Sequence, residues 1–306
     1  MAVTLAINTN CAVNRFAEPE ELVRTVAEEI GMHRIQLTAC MLNPDLPDAV
    51  LADHVRRYDR ACAAHGVAIT TTFTGAFTRV NHLAHPDAAV RAHWVEWFKR
   101  FVDVTADLGG RATGSQIGIF TYRDNNDPAR RQRRFAQALD GWRRIAEHAA
   151  SRGLPYLMWE PMSVHREQGE TLGECRRLQG EMNRDMAVPF RINLDIDHGD
   201  VSSPDARDYD PYAWLTEFAA DSGVIHIKQS SANKGGHWPF TAEHNRRGRV
   251  SPEKLIQTIR DSGGGDNELC MEFAFREREP ADRDVVRMIR ESVEFWKPHV
   301  DVGLRA

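Results

Sequence analysis

The chain predicts a (β/α)8 barrel, and three observations carry that expectation. Short β-type apolar runs alternate with longer helical patterns from one end to the other. Eight such pairs at about 38 residues each fill a chain of 306 residues. The first strand is not followed by the glycine-rich turn that a doubly wound open sheet carries there. No low-complexity stretch or linker interrupts the alternation, so residues 1–306 are expected to form one domain.

The strands are expected at Thr4–Asn8, Arg34–Leu37, Val67–Thr72, Ser115–Phe120, Tyr156–Glu160, Phe190–Asp195, Val224–Lys228 and Glu268–Glu272. Each is a short apolar run, and several are rich in β-branched residues. The helices follow at Glu18–Gly31, Pro47–Ala64, Asp87–Leu108, Pro128–Ser151, Thr171–Met186, Pro211–Asp221, Pro252–Ser262 and Asp282–Lys297. Many open on Pro, Asp or Thr and several close near Gly, the residues that start and stop helices. Trp94, Trp97 and Phe101 recur at helical spacing and read as core packing of the third helix. Gly263–Gly265 follows a helix and precedes a strand, so it reads as a helix stop and turn and not as a phosphate loop. One long irregular stretch remains, Ser230–Val250 after the seventh strand, and a loop of that length inside a compact domain points to function.

Composition narrows the classes. With 44 acidic and 39 basic residues the net charge is −5, which does not suit a nucleic-acid or anionic-membrane partner. No apolar run approaches the roughly 18 residues of a membrane span. The N-terminus lacks a basic segment before an apolar stretch, so no signal peptide is expected. The 5 cysteines are scattered with no C-x-x-C pair, which fits a reduced, cytoplasmic protein and neither a disulfide framework nor a zinc ribbon.

Four metal-seeking side chains stand at the ends of strands five to eight: Glu160, Asp195, His226 and Glu272. In a parallel barrel these strand ends meet at one mouth. Side chains alternate along a strand, and the four share the parity opposite to Leu157, Leu194, Ile225 and Leu269. They therefore face the barrel interior, where ionisable groups must be paired or metal-bound. Asp197 shares parity with Asp195 and competes with it for the ligand position. Three carboxylates and one imidazole suit Mn²⁺, Mg²⁺ or Co²⁺ better than structural zinc. Such an ion activates the carbonyl of a ketose towards loss of the neighbouring proton. Glu160 and Glu272 are the expected acid–base pair, one removing a proton and one returning it to the opposite face. Lys228 shares the face of His226 and is placed to balance developing negative charge.

With these residues in place, the chain resembles the xylose isomerase-like barrel superfamily of sugar isomerases and epimerases, which also contains endonuclease IV. The resemblance spans essentially the whole chain. It implies that Glu160, Asp195, His226 and Glu272 are the metal ligands. The family's sixth strand commonly ends Asp-Thr-Gly-His, and here Asp195-Ile196-Asp197-His198 keeps the Asp-x-x-His spacing. His198 thereby inherits a substrate contact. The seventh strand has Gln229 where the family commonly carries an acid after the lysine. Trp159-Glu160-Pro161-Met162-Ser163 with Arg166-Glu167, Asp197-His198-Gly199-Asp200 and His237-Trp238-Pro239-Phe240 look like a subgroup acting on small sugar phosphates, with tetrulose phosphates the best match. The resemblance implies a 3-epimerase or an aldose–ketose isomerase, and by analogy a homodimer.

A phosphate needs cations. Lys234, His237, Arg246, Arg247 and Arg249 lie in the loop after strand seven, Arg276 and Arg278 after strand eight, and Arg123 after strand four. Arg246–Arg249 reads equally well as a solvated loop. Trp238 and Phe240 suit either a cover over the substrate or anchors for the loop. A metal-dependent decarboxylase of a 3-oxo sugar acid would need the same ligands. A phosphodiesterase acting on DNA would need further ligands and a basic face, and a non-catalytic sugar-binding protein would not need two opposed glutamates.

Overall fold

The computed structural model describes residues 3–231 and 234–303. Eight parallel strands form one sheet: β1 Thr4–Asn8, β2 Arg34–Thr38, β3 Ala68–Phe73, β4 Gly114–Ser115, β5 Leu157–Trp159, β6 Phe190–Asp195, β7 Ser222–Ile227 and β8 Glu268–Met271. Neighbours run β3-β2-β1-β8-β7-β6-β5-β4. The sheet closes where Thr72 N and Thr74 N donate to Ala112 O and Gly114 O at 3.0 and 3.1 Å. The architecture is the expected barrel.

The helices fall where start and stop signals place them. They are α1 Pro19–Arg24, α2 Asp48–His65, α3 Ala88–Asp107, α4 Pro128–Ser151, α5 Leu172–Met182, α6 Pro211–Phe218, α7 Pro252–Asp261 and α8 Val285–Trp296. Asp87 caps α3, Asp127 caps α4, Thr171 caps α5 and Ser251 caps α7, each by accepting from a backbone N–H of the first turn. Gly31 and Gly66, at φ 81° and 63°, end the first two helical segments. The predicted first helix is not regular: α1 passes into a π-helical stretch at Thr25–Ile30.

Strand four departs most from expectation. Only Gly114 and Ser115 pair with β5, and Gln116–Phe120 leaves the sheet as a loop. A Cβ at Gly114 would lie 2.3 Å from Met158 O, so only glycine lets this short strand reach β5. The outward face of the sheet packs Leu5, Ile7, Ile35, Leu37, Ile192 and Leu194 against the helices. Ala6, Phe73, Ala112, Met158, Val224 and Cys270 fill the barrel interior. Trp97 and Phe101 are buried as the helical spacing requires, and Phe98 carries their cluster to Trp142 of α4.

His82, on the loop before α3, is fully buried against Trp94 and Phe98. Its Nδ1 accepts from Leu83 N at 2.7 Å, while its Nε2 has no partner among the described residues. Burial pushes its pKa down to about 3. The unfolded chain protonates this ring near pH 6.5 and the folded chain does not, so stability is lost as pH falls from about 6.5 towards 3. His82→Asn keeps an acceptor for Leu83 N and removes that titration. Urea denaturation at pH 7.5 and 5.5 should then show the variant losing about 1.4 kcal/mol less stability than the parent between the two pH values.

Candidate active site

The C-terminal ends of β5 to β8 bring the four predicted donors together. One ligand atom from each of Glu160, Asp195, His226 and Glu272 lies within 4.8 Å of all the others. His226 and Asp195 are buried on their strands, while Glu160 and Glu272 stand just past the ends of β5 and β8. Asp197 is not in this set; its carboxylate accepts from Gly236 N and Arg249 Nη2, both at 3.0 Å. Of the two aspartates on this face of strand six, Asp195 is the one that joins the cluster.

A polar layer beneath the donors orients them. Gln36 Oε1 accepts from Asn8 Nδ2 and from His226 Nε2, each at 2.7 Å. Gln36 Nε2 in turn donates to Asn193 Oδ1 at 3.3 Å. The hydrogen on His226 is thus held at Nε2, and Nδ1 points at Glu160 Oε1 and Glu272 Oε2, 3.3 and 3.4 Å away. A nitrogen lone pair facing two carboxylate oxygens is repulsive unless a cation sits among them. In the protein alone that cation is a proton: burial disfavours the charged ring, but Glu272 and Glu160 outweigh it and raise the pKa to about 10. The oxygen-rich donor set and the directed lone pair both fit a hard divalent ion.

Lys228 is the second internal cation. It is wholly buried at the end of β7, donating to Asp195 Oδ2 and Glu272 Oε2 and reaching His237 Nδ1 at 2.9 Å. Burial opposes its charge, yet Asp195 and Glu272 hold its pKa above the ordinary lysine value. Reciprocally, burial would raise Asp195, but His198 and Lys228 bring it down to about 2. Lys228 lowers His237, with burial acting in the same direction, so His237 accepts the lysine hydrogen as a neutral ring.

Above the donors lies a cavity of about 490 Å³, lined among others by Glu160, Glu272, His198, His237 and Gln116. That volume suits a small metabolite. His198 Nε2 is 3.1 Å from Asp195 Oδ2, and its Nδ1 is 2.8 Å from Pro161 O. Gly199, at φ 128°, makes the turn behind it, where a Cβ would lie 2.0 Å from Asp208 O. The stretch after β7 is more regular than its composition suggests. Gln229–Ser231 pairs antiparallel with Lys234–Trp238, and this hairpin carries His237 over the site. Phe240 is buried against Phe273, Phe295 and Trp296, while Trp238 stacks on His244. Both aromatic rings therefore anchor the loop, since neither lines the cavity.

The remaining predicted cations are dispersed. Arg123 is 64% exposed beside Asp124, and Arg276 is exposed after β8; neither lines the cavity. Arg249 is committed to Asp197, Tyr209 O and Ser230, and Arg246 and Arg247 are exposed. The Lys234 side chain lies outside the described residues. Two cavity arginines escaped sequence reasoning, Arg15 after β1 and Arg79 after β3. Each is a single arginine in an ordinary polar loop, and no local pattern marks it. Asn10 also went unread, and its Nδ2 donates to Glu272 Oε1 at 3.2 Å.

With this geometry established, the comparisons define the class. Residues 25–299 match the model of the xylose isomerase-like TIM barrel family, and the chain belongs to that family. It is 49% identical over 306 residues to D-erythrulose 1-phosphate 3-epimerase of Brucella abortus (strain 2308), covering 100% of this chain and 99% of that one. A crystal structure from Rhodospirillum rubrum, of a protein assigned by name to the xylose isomerases, superposes with a TM-score of 0.85 at 26% identity. That match covers 97% of this chain and 99% of the other. An L-ribulose 3-epimerase shares the fold, with a TM-score of 0.68 at 18% identity over 99% of this chain and 96% of its own. Among the described residues no helix is long and apolar enough to cross a membrane.

Lys228→Met removes the cation shared by Asp195 and Glu272 and strands one buried and one largely buried carboxylate. Urea denaturation of the metal-free protein is expected to show a loss of about 3–5 kcal/mol.

Proposed function

We propose that the chain is a divalent-metal-dependent epimerase of a small ketose phosphate, inverting C3 of a tetrulose 1-phosphate. The observation that carries this reading is the pair Glu160 and Glu272, both lining one cavity and both within the four-donor cluster. The whole-length relative at 49% identity supports the substrate class, since its name specifies erythrulose 1-phosphate and inversion at C3.

Glu160, Asp195, His226 and Glu272 would hold Mn²⁺, Mg²⁺ or Co²⁺. When bound, the ion supplies Lewis-acid polarisation of the substrate carbonyl. The remaining chemistry belongs to the side chains. One glutamate takes the C3 proton and the other delivers a proton to the opposite face, which inverts the centre. Asn10 and Lys228 fix the two oxygens of Glu272, so its orientation is set before substrate arrives. Lys228 also keeps positive charge under the reacting atoms as negative charge develops on the substrate oxygens. His198 and His237 stand on the cavity wall as substrate contacts. A proton returned to the same face gives exchange without inversion, and a proton delivered to C2 moves the carbonyl to C3.

Proton NMR in D₂O with Mg²⁺ and each enantiomer of erythrulose 1-phosphate tests this. Deuterium should enter at C3, and exchange should cease with a chelator. Glu160→Gln and Glu272→Gln should each reduce C3 exchange by at least about 10³-fold while circular dichroism stays that of the parent. Exchange confined to C1 of erythrulose 4-phosphate, whose C1 hydroxyl is free, would make the enzyme an aldose–ketose isomerase. No exchange at either carbon would overturn the reading and turn attention to 3-oxo sugar acids.

A further inference from the structure

The four donors all come from β5 to β8, on one half of the barrel mouth. The guanidinium groups that line the cavity come from the other half: Arg15 follows β1 and Arg79 follows β3. Arginines elsewhere on this face are either committed to internal acceptors, as Arg249 is, or stand outside the cavity lining, as Arg123, Arg247 and Arg276 do. Arg15 and Arg79 thus share one cavity with Glu160 and Glu272.

Their surroundings give the two residues different parts. Arg15 is pinned: Nε and Nη2 donate to Asp282 Oδ1, Nη1 donates to Cys11 O at 3.1 Å, and the side chain is 13% exposed. It contributes a fixed positive charge at the wall. Arg79 is 52% exposed, with Nε and Nη2 both on Glu167 Oε2, at 3.0 and 2.7 Å. Among the described residues its Nη1 makes no hydrogen bond to a protein acceptor. Glu167 is buried, and it steadies the guanidinium by tying the loop after β3 to the loop after β5. Glu277, the acid beside them, lines the same wall and accepts from Asn14 Nδ2 at 3.2 Å.

We propose that Arg79, backed by the fixed charge of Arg15, forms the subsite for the phosphate of the substrate, across the cavity from Glu160 and Glu272. A phosphate monoester offers a dianion with several acceptor oxygens, which a planar guanidinium meets in a defined orientation. A bound divalent ion offsets the carboxylates on one half, while on the other the Arg79 Nη1, unlike its Nε and Nη2, is not held by Glu167 and can meet a phosphate oxygen. This departs from the common barrel arrangement, in which phosphate lies between the loops after strands seven and eight. There the hairpin after β7 is spent on carrying His237. The proposal rests on the epimerase reading and adds the residue that distinguishes a phosphorylated ketose from a free one.

The test compares C3 deuterium exchange of erythrulose 1-phosphate and free erythrulose with the Mg²⁺-loaded enzyme. Arg79→Gln should lower the ratio of kcat/KM, phosphorylated over free, by at least about tenfold, mainly through KM, and Arg79→Lys should recover part of it. Arg276→Gln should leave the ratio as it is. Calorimetry with a tetritol phosphate and the unphosphorylated tetritol reads the subsite without turnover. The parent should prefer the phosphate ester, and Arg79→Gln should lose at least about tenfold of that preference. An unchanged ratio and unchanged preference in Arg79→Gln, or a collapse in Arg276→Gln instead, would overturn the subsite while leaving the epimerase reading intact. Absence of C3 exchange in the parent with a retained, Arg79-dependent preference for the phosphate ester would overturn the reaction and keep the subsite.

Discussion

Three carboxylates crowd one end of this barrel, and the rest of the site is arranged around the repulsion among them. Glu160, Asp195 and Glu272 each bring an oxygen to within 4.8 Å of the others and of His226. Like charges at that range in a buried site cannot stand unbalanced. Lys228 and the His226 ring, both wholly buried, are the internal cations that meet them. Their pKa values are raised although burial alone would lower them, because the carboxylates outweigh desolvation. A divalent ion among the four donors would relieve the same repulsion.

The interior is layered accordingly. Small and apolar side chains close the lower barrel, with Ala6, Ala112, Val224 and Cys270 filling the space between strands. Asn8, Gln36 and Asn193 form the next layer, a hydrogen-bonded tier that fixes which nitrogen of His226 faces upward. The carboxylates and Lys228 come next, and the cavity opens above them. Each layer is supplied by alternate residues of the same strands. Ala6 and Asn8 on β1 or Cys270 and Glu272 at β8 step from core to site in two residues. The strands and their ends thus hold the four donors, and the hairpin after β7 adds His237 to the cavity wall.

Much of this was legible in the linear chain, and for identifiable reasons. Strand runs such as Ile192–Asp195 and Ile225–Lys228 alternate strictly, so the inward face could be assigned from parity alone. The caps at Asp87, Asp127, Thr171 and Ser251 are local interactions within three residues, and they placed the helix starts. Strand four misled because Ile117, Ile119 and Phe120 are apolar and buried, yet they pack in a loop. Apolar content reports burial and leaves the backbone geometry open. The loop after β7 misled in the other direction, its glycines and polar residues hiding a paired hairpin.

The sequence by itself determined the barrel, the four donors and their inward face, because alternation and capping act over a few residues and closure of eight parallel strands does the rest. Only the tertiary structure shows that Asp195 joins the cluster while Asp197 meets Gly236 and Arg249, about forty and fifty residues away. It likewise set aside Arg123 and Arg276 as cavity residues and brought in Arg15, Arg79 and Asn10. A cation's role depends on which acceptor lies within about 3 Å of it. For Arg15 that acceptor is Asp282, at the far end of the chain, and for Arg79 it is Glu167, two strands away. Such pairings are products of closure, and no local pattern in the chain records them.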